Sequence, residues 1–279
     1  MPEATLHDGS VLEIETHGAG PTLLLPVNPK PVTGPQAEQM RHYGADPDLG
    51  PSLIRALSDV FRVVAFDYEG QCLRLPKPNT LTPANAASDL LAVADAVGAV
   101  RFAYYGYSWL ALLGLQLAIR TDRLTALIMG GFPPLNGPYK EMLRVTTAAD
   151  EMSGASQDAA QASRAPDEDE WSTAGMSKGQ TRQFVTLYQA LQDFDDRAAQ
   201  AAISCPRLCF VGSADAIQYG KRWGDVYLDL AAPIVRGQAE LARLGWDTRV
   251  LDGLDHLQAM QAQQVAPILR AWLTSKLLS

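Results

Sequence analysis

From Thr22 to Met129 the chain alternates short apolar β-type runs with helical stretches, and this alternation constrains its fold more than any other feature of the sequence. Thr22 to Leu25, ended by Pro26, is apolar throughout, as a strand buried on both faces would be. Pro51 to Asp59 reads as a short helix with proline near its start, and Arg62 to Asp67 as a β-branched strand feeding the loop Tyr68-Glu69-Gly70. Thr82, with Pro83 at the first helical position, caps an Ala/Leu/Val helix that runs to about Val97 and stops at Gly98. Phe102 to Tyr105 is the next strand, Ser108 to about Thr121 the next helix, and Thr125 to Met129 the strand after it. A chain that alternates in this way predicts an α/β fold: a mostly parallel, twisted sheet with helices on both faces. Ahead of it, Thr5 to His7, Asp8-Gly9 and Val11 to Thr16 read as a hairpin, because Asp-Gly supplies the positive φ of a tight turn.

The alternation stops at Pro133 and resumes near Ser204. Ala148 to Gly179 is rich in Ala, Ser, Gln, Asp and Glu, with four consecutive acids from Asp167 to Glu170, before helical spacing returns in Gln180 to Ala202 through Phe184, Leu187, Leu191 and Phe194. Arg207 to Val211 and Asp247 to Leu251 read as further strands, separated by a helix through Glu240 to Leu244 and followed by a helix from Gln258 to Leu277. The expected organisation is a core domain in two parts, 1–132 and 205–279, with 133–204 as a partly mobile cap or lid inserted between them.

Composition narrows the function classes. A formal net charge of −8 leaves no dense basic face for nucleic acid and favours a small neutral or weakly charged substrate. The first nine residues lack the basic start and apolar core of a signal peptide, and no apolar run reaches membrane-spanning length, so a cytoplasmic location and no membrane partner are expected. Cys72, Cys205 and Cys209 are odd in number and lack metal-ligand or redox spacing, and the four histidines have no zinc-type spacing either, so no metal site is expected. Oligomeric state is not legible.

The most informative segment is Phe102-Ala103-Tyr104-Tyr105-Gly106-Tyr107-Ser108-Trp109-Leu110, an apolar strand running through Gly-x-Ser into a helix. That context is the one in which a sharp turn lifts a nucleophilic hydroxyl above the carboxyl edge of a sheet, although a serine here also reads as an ordinary helix N-cap. The chain resembles the α/β-hydrolase family over nearly its whole length outside Ala148 to Gly179. It departs from the family motif at Leu110, where a small residue usually lets the helix close on the sheet.

The resemblance implies a Ser-His-Asp mechanism. Ser108 is the implied nucleophile; His256, in Asp252-Gly253-Leu254-Asp255-His256-Leu257 after the last strand, stands where the family keeps its general base; Asp215, after the strand Arg207 to Val211, completes the family's chain order. Asp252 and Asp255 compete for the acid's role, and capping is the alternative for all three aspartates. The family's oxyanion hole implies the backbone N–H of Trp109 and a donor from the loop Pro26 to Pro31, where the prolines have no N–H and leave Val27, Asn28 and Lys30; Asn28 is chosen by position, its side-chain amide being a further donor. Tyr107, Phe132, Tyr139 and Trp223 are candidates for the wall of a substrate pocket, alongside other aromatics of the chain. The implied activity is cofactor-free hydrolysis of a small ester, thioester or lactone through an acyl-enzyme. A C–C bond hydrolase or perhydrolase with the same triad, and a non-catalytic ligand-binding protein of this fold, remain as alternatives.

Overall fold

The structure is a computed structural model and describes residues 1–158 and 176–278. It begins with β1 (Glu3–Thr5) and β2 (Val11–Glu13), paired antiparallel with Ala4 opposite Leu12 and closed by a turn in which Gly9 takes φ 82°. The expected strand over Val11 to Thr16 is broken at Ile14, and its second half becomes β3 (Glu15–His17) in a different sheet. β1 offers only three residues to pair with, so the chain finds its remaining hydrogen bonds elsewhere.

Then follow β4 (Thr22–Leu25), α1 (Pro35–His42), α2 (Leu49–Leu57), β5 (Arg62–Ala65), α3 (Tyr68–Arg74), α4 (Pro83–Ala96), β6 (Phe102–Tyr107), α5 (Trp109–Ala118) and β7 (Leu124–Gly130). Next come α6 (Tyr139–Asp158), α7 (Lys178–Gln189) and α8 (Asp196–Ala199). The chain ends with β8 (Arg207–Gly212), β9 (Ala216–Tyr219), β10 (Val226–Asp229), α9 (Ala231–Arg243), β11 (Trp246–Leu251), α10 (His256–Ala259) and α11 (Ala262–Leu277). Two departures from the sequence reading matter for the site. Tyr68 to Arg74 is a helix, with the Asp67 carboxylate capping it at the Gly70 N–H, where a loop is expected. A β9–β10 hairpin, Val226 opposite Tyr219, is interposed between β8 and its following helix.

The main sheet has seven strands in the order β11-β8-β7-β6-β4-β5-β3. Every pairing is parallel except β3 with β5. Because side chains alternate across a strand, β6 serves both faces: Phe102 and Tyr104 enter one apolar cluster with α4 and α5, while Ala103 and Tyr105 enter the other with α2 and α11. β6 is buried along its whole length, as a central parallel strand must be.

Of the stretch 148–179 expected to be a mobile insertion, residues 159–175 lie outside the described residues. On its far side α7 is bound to the core by polar side chains. Gln180 donates to the Leu73 carbonyl at 2.7 Å, Gln183 to the Cys72 carbonyl at 3.1 Å and Thr186 to the Pro78 carbonyl at 2.5 Å.

The loop that α7 covers holds an ion pair whose ammonium is buried and whose carboxylate is exposed. Lys77 is buried and its ammonium meets the Asp8 carboxylate of the first hairpin turn, with Ser10 Oγ at 3.2 Å. Burial acts to raise the Asp8 pKa, but hydrogen bonds from Lys77 and Ser10 outweigh it and hold the carboxyl at about 2. A folded-state pKa below the unfolded one, about 3.9, stabilises the protein above that value, and the contribution disappears as pH falls towards the folded pKa. Thermal unfolding followed from pH 6 downwards is therefore expected to show a loss of stability between about pH 4 and 2 that is smaller in Lys77→Met, where the Ser10 bonds alone remain. At neutral pH the same substitution is expected to cost about 1 kcal/mol, because the Asp8 carboxylate it leaves unpaired is exposed to solvent. A variant as stable as the parent at neutral pH would show that the pair contributes nothing net.

Candidate active site

A parallel sheet delivers the ends of its strands to one edge, and Ser108, Asp215, His256 and Asn28 all lie just beyond such ends, after β6, β8, β11 and β4. Ser108 takes φ 56° and ψ −131°, a combination that L-residues rarely adopt. Its N–H is held by the Gly130 carbonyl at 2.8 Å, and its own carbonyl accepts from Ala111 and Leu112 as α5 begins. Its hydroxyl makes no capping bond. An N-cap serine sits in extended backbone and uses its hydroxyl on the helix, so capping does not account for this residue.

The turn depends on glycine. A Cβ on Gly106 would come within 2.3 Å of the Leu110 carbonyl oxygen, and one on Gly114 within 2.6 Å of the Tyr104 ring. These two positions let α5 lie against the sheet, which is why Leu110 is tolerated where a small residue is usual. The Leu110 carbonyl accepts the Tyr104 hydroxyl at 2.8 Å, while its side chain lies buried on the cavity side of the turn.

His256 and Asp215 meet through two loops zipped together. Ser213 N–H donates to the Leu251 carbonyl at 2.8 Å and Ala214 N–H to the Leu254 carbonyl at 3.0 Å. Gly212 has no room for a Cβ, which would lie 2.0 Å from the Leu254 oxygen. The fully buried Asp215 carboxylate accepts from His256 Nδ1 at 2.9 Å and 3.0 Å on its two oxygens. With Nδ1 carrying the proton, Nε2 is the basic nitrogen. The competing acids are otherwise engaged: Asp255 caps α10 at the Gln258 N–H, 2.8 Å away, and Asp252 accepts from the Ser213 hydroxyl at 3.4 Å.

Ser108 and His256 open onto one cavity of about 940 Å³. Its wall includes Met40, Pro47 and Leu53 from α1, α2 and the loop between them, Phe132, Met142 and Tyr188, and Ile217 and Tyr219 of β9. Asn28 and Trp109 also line it. Among the described residues neither backbone amide is bonded to an acceptor, whereas the Val27 N–H is taken by the Leu25 carbonyl at 2.8 Å. The Asn28 side-chain oxygen folds back on its loop and accepts the Lys30 N–H at 3.0 Å, while its backbone N–H and its side-chain NH2 are both donors it can offer.

The four aromatic candidates divide. Phe132 and Tyr107 line the cavity. Tyr139 and Trp223 do not: Tyr139 is buried beside the cavity wall with its hydroxyl on Asp196 at 3.3 Å and its ring edge-on to Phe194, and Trp223 is buried in the short turn between β9 and β10 with Arg222 over its ring. Both are amphipathic rings taken up by core packing. Tyr107 has a use beyond lining: its hydroxyl donates to the His256 carbonyl at 2.7 Å and its ring lies 5.1 Å from the imidazole. Tyr107→Phe is expected to lower kcat about tenfold with a stability loss of about 1 kcal/mol, since a well-formed fold would hold a less well-placed imidazole. Unchanged kcat would assign Tyr107 to packing alone.

Sequence reasoning passed over Glu69, whose carboxylate Oε1 accepts the Trp109 indole N–H at 2.9 Å on the cavity wall. The signal was hidden because the segment reads as a loop, while the helix α3 is what carries the side chain into the cavity. Cys72, one turn further on, is buried and burial pushes its thiol up to about 12, so it supplies no thiolate. Among the described residues no group of three or more His, Cys, Asp and Glu side chains is placed to hold a metal ion. Nor is any helix among them long and apolar enough to cross a membrane.

A scan against protein-family models finds no match, and a search of curated proteins by sequence finds none. Solved structures do match. An esterase from Thermogutta terrifontis superposes with a TM-score of 0.63 at 19% identity, covering 99% of this chain and 98% of that one. An enol-lactonase from Burkholderia xenovorans gives 0.61 at 21% identity over 100% of both chains. A carboxylesterase structure from Nitrososphaera gargenis gives 0.62 at 19% identity over 98% of each. At these identities the likeness speaks to architecture, and with the strand order and full-length coverage it establishes that the chain has the α/β-hydrolase fold.

Proposed function

We propose that this protein hydrolyses a small carboxylic ester, thioester or lactone through an acyl-enzyme on Ser108. The observation that carries this reading is the uncapped Ser108 hydroxyl, held on a strained turn in the same cavity as an imidazole whose Nδ1 is bonded to a buried carboxylate. The names of three of the matched structures, two esterases and an enol-lactonase, agree with it.

In the reaction Ser108 Oγ attacks the substrate carbonyl as His256 Nε2 takes the hydroxyl proton. Asp215 keeps the proton on Nδ1 and stabilises the imidazolium that forms. The carbonyl oxygen, now negative, is met by the backbone N–H groups of Trp109 and Asn28. Collapse expels the alcohol, thiol or ring oxygen, which takes the proton from His256, and a water activated by the same Nε2 then releases the acid. The elements between 133 and 204 serve as the cap of the cavity, contributing Met142 and Tyr188 to its wall.

The test uses folded wild type and Ser108→Ala. A fluorophosphonate is expected to add one phosphonyl group to wild type at Ser108 and none to the variant, and the wild type alone is expected to hydrolyse a panel of short and long acyl esters. Absence of both adduct and turnover would favour a ligand-binding member of the fold. An adduct without ester turnover would favour the C–C bond or perhydrolase chemistry that the same three residues serve.

A further inference from the structure

Four carboxylates line the cavity, and three are occupied by backbone. Asp46 accepts the Asp48 N–H at 2.8 Å, Asp67 caps α3 and binds Arg74 at 2.9 Å, and Asp255 caps α10. Glu69 differs. Its sole hydrogen bond among the described residues is the one that Oε1 accepts from the Trp109 indole, and no basic side chain among them pairs with it. Glu69 lines the cavity, and among the described residues nothing donates to its Oε2. Protein crowds the carboxylate even though it reaches the cavity's solvent: burial raises its pKa, the indole bond works against this, and the Asp67 carboxylate adds to the rise. The wall beside it is aromatic and aliphatic, made by Trp109 and by Leu73, with Tyr68 and Phe184 packed on the indole at 6.2 Å and 5.3 Å.

A carboxylate that has no counter-charge among the described residues, beside an indole at the wall of a mostly apolar cavity, is suited to a cation. We propose that Glu69 is a specificity-determining residue that selects substrates carrying an ammonium group, the ammonium donating to Oε2 beside the indole of Trp109. An ammonium gains a charge-assisted hydrogen bond to the carboxylate. An alkyl group in the same place would desolvate the carboxylate without compensating it, so the residue also disfavours neutral occupants. The proposal rests on the esterase reading only in placing that ammonium on an ester.

Glu69→Gln separates selection from simple positioning of Trp109, because the carboxamide oxygen still accepts the indole N–H while the charge is gone. Two substrate pairs of matched shape are used: ethyl ε-aminocaproate against ethyl heptanoate, and ω-aminohexyl acetate against heptyl acetate. Wild type is expected to prefer the ammonium member of at least one pair. Glu69→Gln is expected to cut kcat/KM for that member about tenfold while changing its neutral twin less than about twofold. The same pairs are titrated by calorimetry into Ser108→Ala and into Ser108→Ala carrying Glu69→Gln, which reads binding without turnover. A preference for the ammonium twin that the second variant loses supports the assignment even if wild type hydrolyses no ester, a result that would fail the esterase reading alone. Equal preference with and without the Glu69 charge overturns the proposal, whatever the kinetics of wild type.

Discussion

Ser108→Gly is expected to abolish ester hydrolysis and to raise the melting temperature. The two effects have one origin. The φ of 56° and ψ of −131° at Ser108 are ordinary for glycine and costly for any residue with a Cβ, by about 1–3 kcal/mol. Glycine gives back part of that gain through the greater entropy of the unfolded chain, about 0.5–1 kcal/mol. The net is expected to be about 1 kcal/mol of stabilisation, a rise of roughly 2 °C for a chain of this size, read by differential scanning calorimetry. Loss of the nucleophile is expected to lower kcat by about a thousandfold or more. Ser108→Ala is the control, since it removes the hydroxyl and keeps the Cβ, and should lose activity without the stability gain. A Ser108→Gly protein that turns over esters at the parental rate would remove Ser108 from the mechanism.

Asp215→Asn is expected to lower kcat by about ten-thousandfold with little change in KM. The Asp215 side chain is fully buried and both its oxygens face His256 Nδ1. An amide in that place no longer holds the proton on Nδ1, so Nε2 loses its part as base. Asp252→Asn and Asp255→Asn are the comparison. Asp255 serves as an N-cap, a task asparagine performs nearly as well, and Asp252 lies on a surface loop, so each is expected to lose less than about tenfold. Steady-state kinetics on one ester decide the matter. A larger loss at Asp255 or Asp252 than at Asp215 would transfer the acid's role.

The regular part of the fold was legible wherever a local pattern had a single physical cause. Thr22–Leu25 and the strand at Phe102 read as buried strands because parallel strands covered on both faces are apolar throughout, and Thr82-Pro83 marked a helix start that the structure places at the same residue. The strand in front of Ser108 continues to Tyr107, two residues beyond its expected end, because Gly130 of β7 supplies a partner that propensity does not reveal. The β9–β10 hairpin escaped notice because its strands are only four residues each, although Gly224 and Asp225 between them take the positive φ of a turn. α3 escaped because Gly70 sits inside its first turns, where glycine argues against a helix; the Asp67 cap and the packing of Tyr68 and Cys72 into the core override it.

The site divides along the same line. Ser108 stood out because strand, Gly-x-Ser and helix are contiguous in the chain, and His256 because few histidines compete with it. The choice among Asp215, Asp252 and Asp255 lay beyond the sequence: all three follow strands, and only the zipped loops after β8 and β11 show which carboxylate faces Nδ1. Tyr139 and Trp223 lie off the cavity lining, and an aromatic residue in the right segment has no mark that tells cavity wall from core. By itself the sequence determined the layered α/β architecture and the residue types available for chemistry, because burial and turn formation act over a few neighbouring residues. Tertiary structure decided which carboxylate meets the imidazole, which rings face the cavity and that Glu69 enters it, because each of these depends on the approach of side chains from elements far apart in the chain.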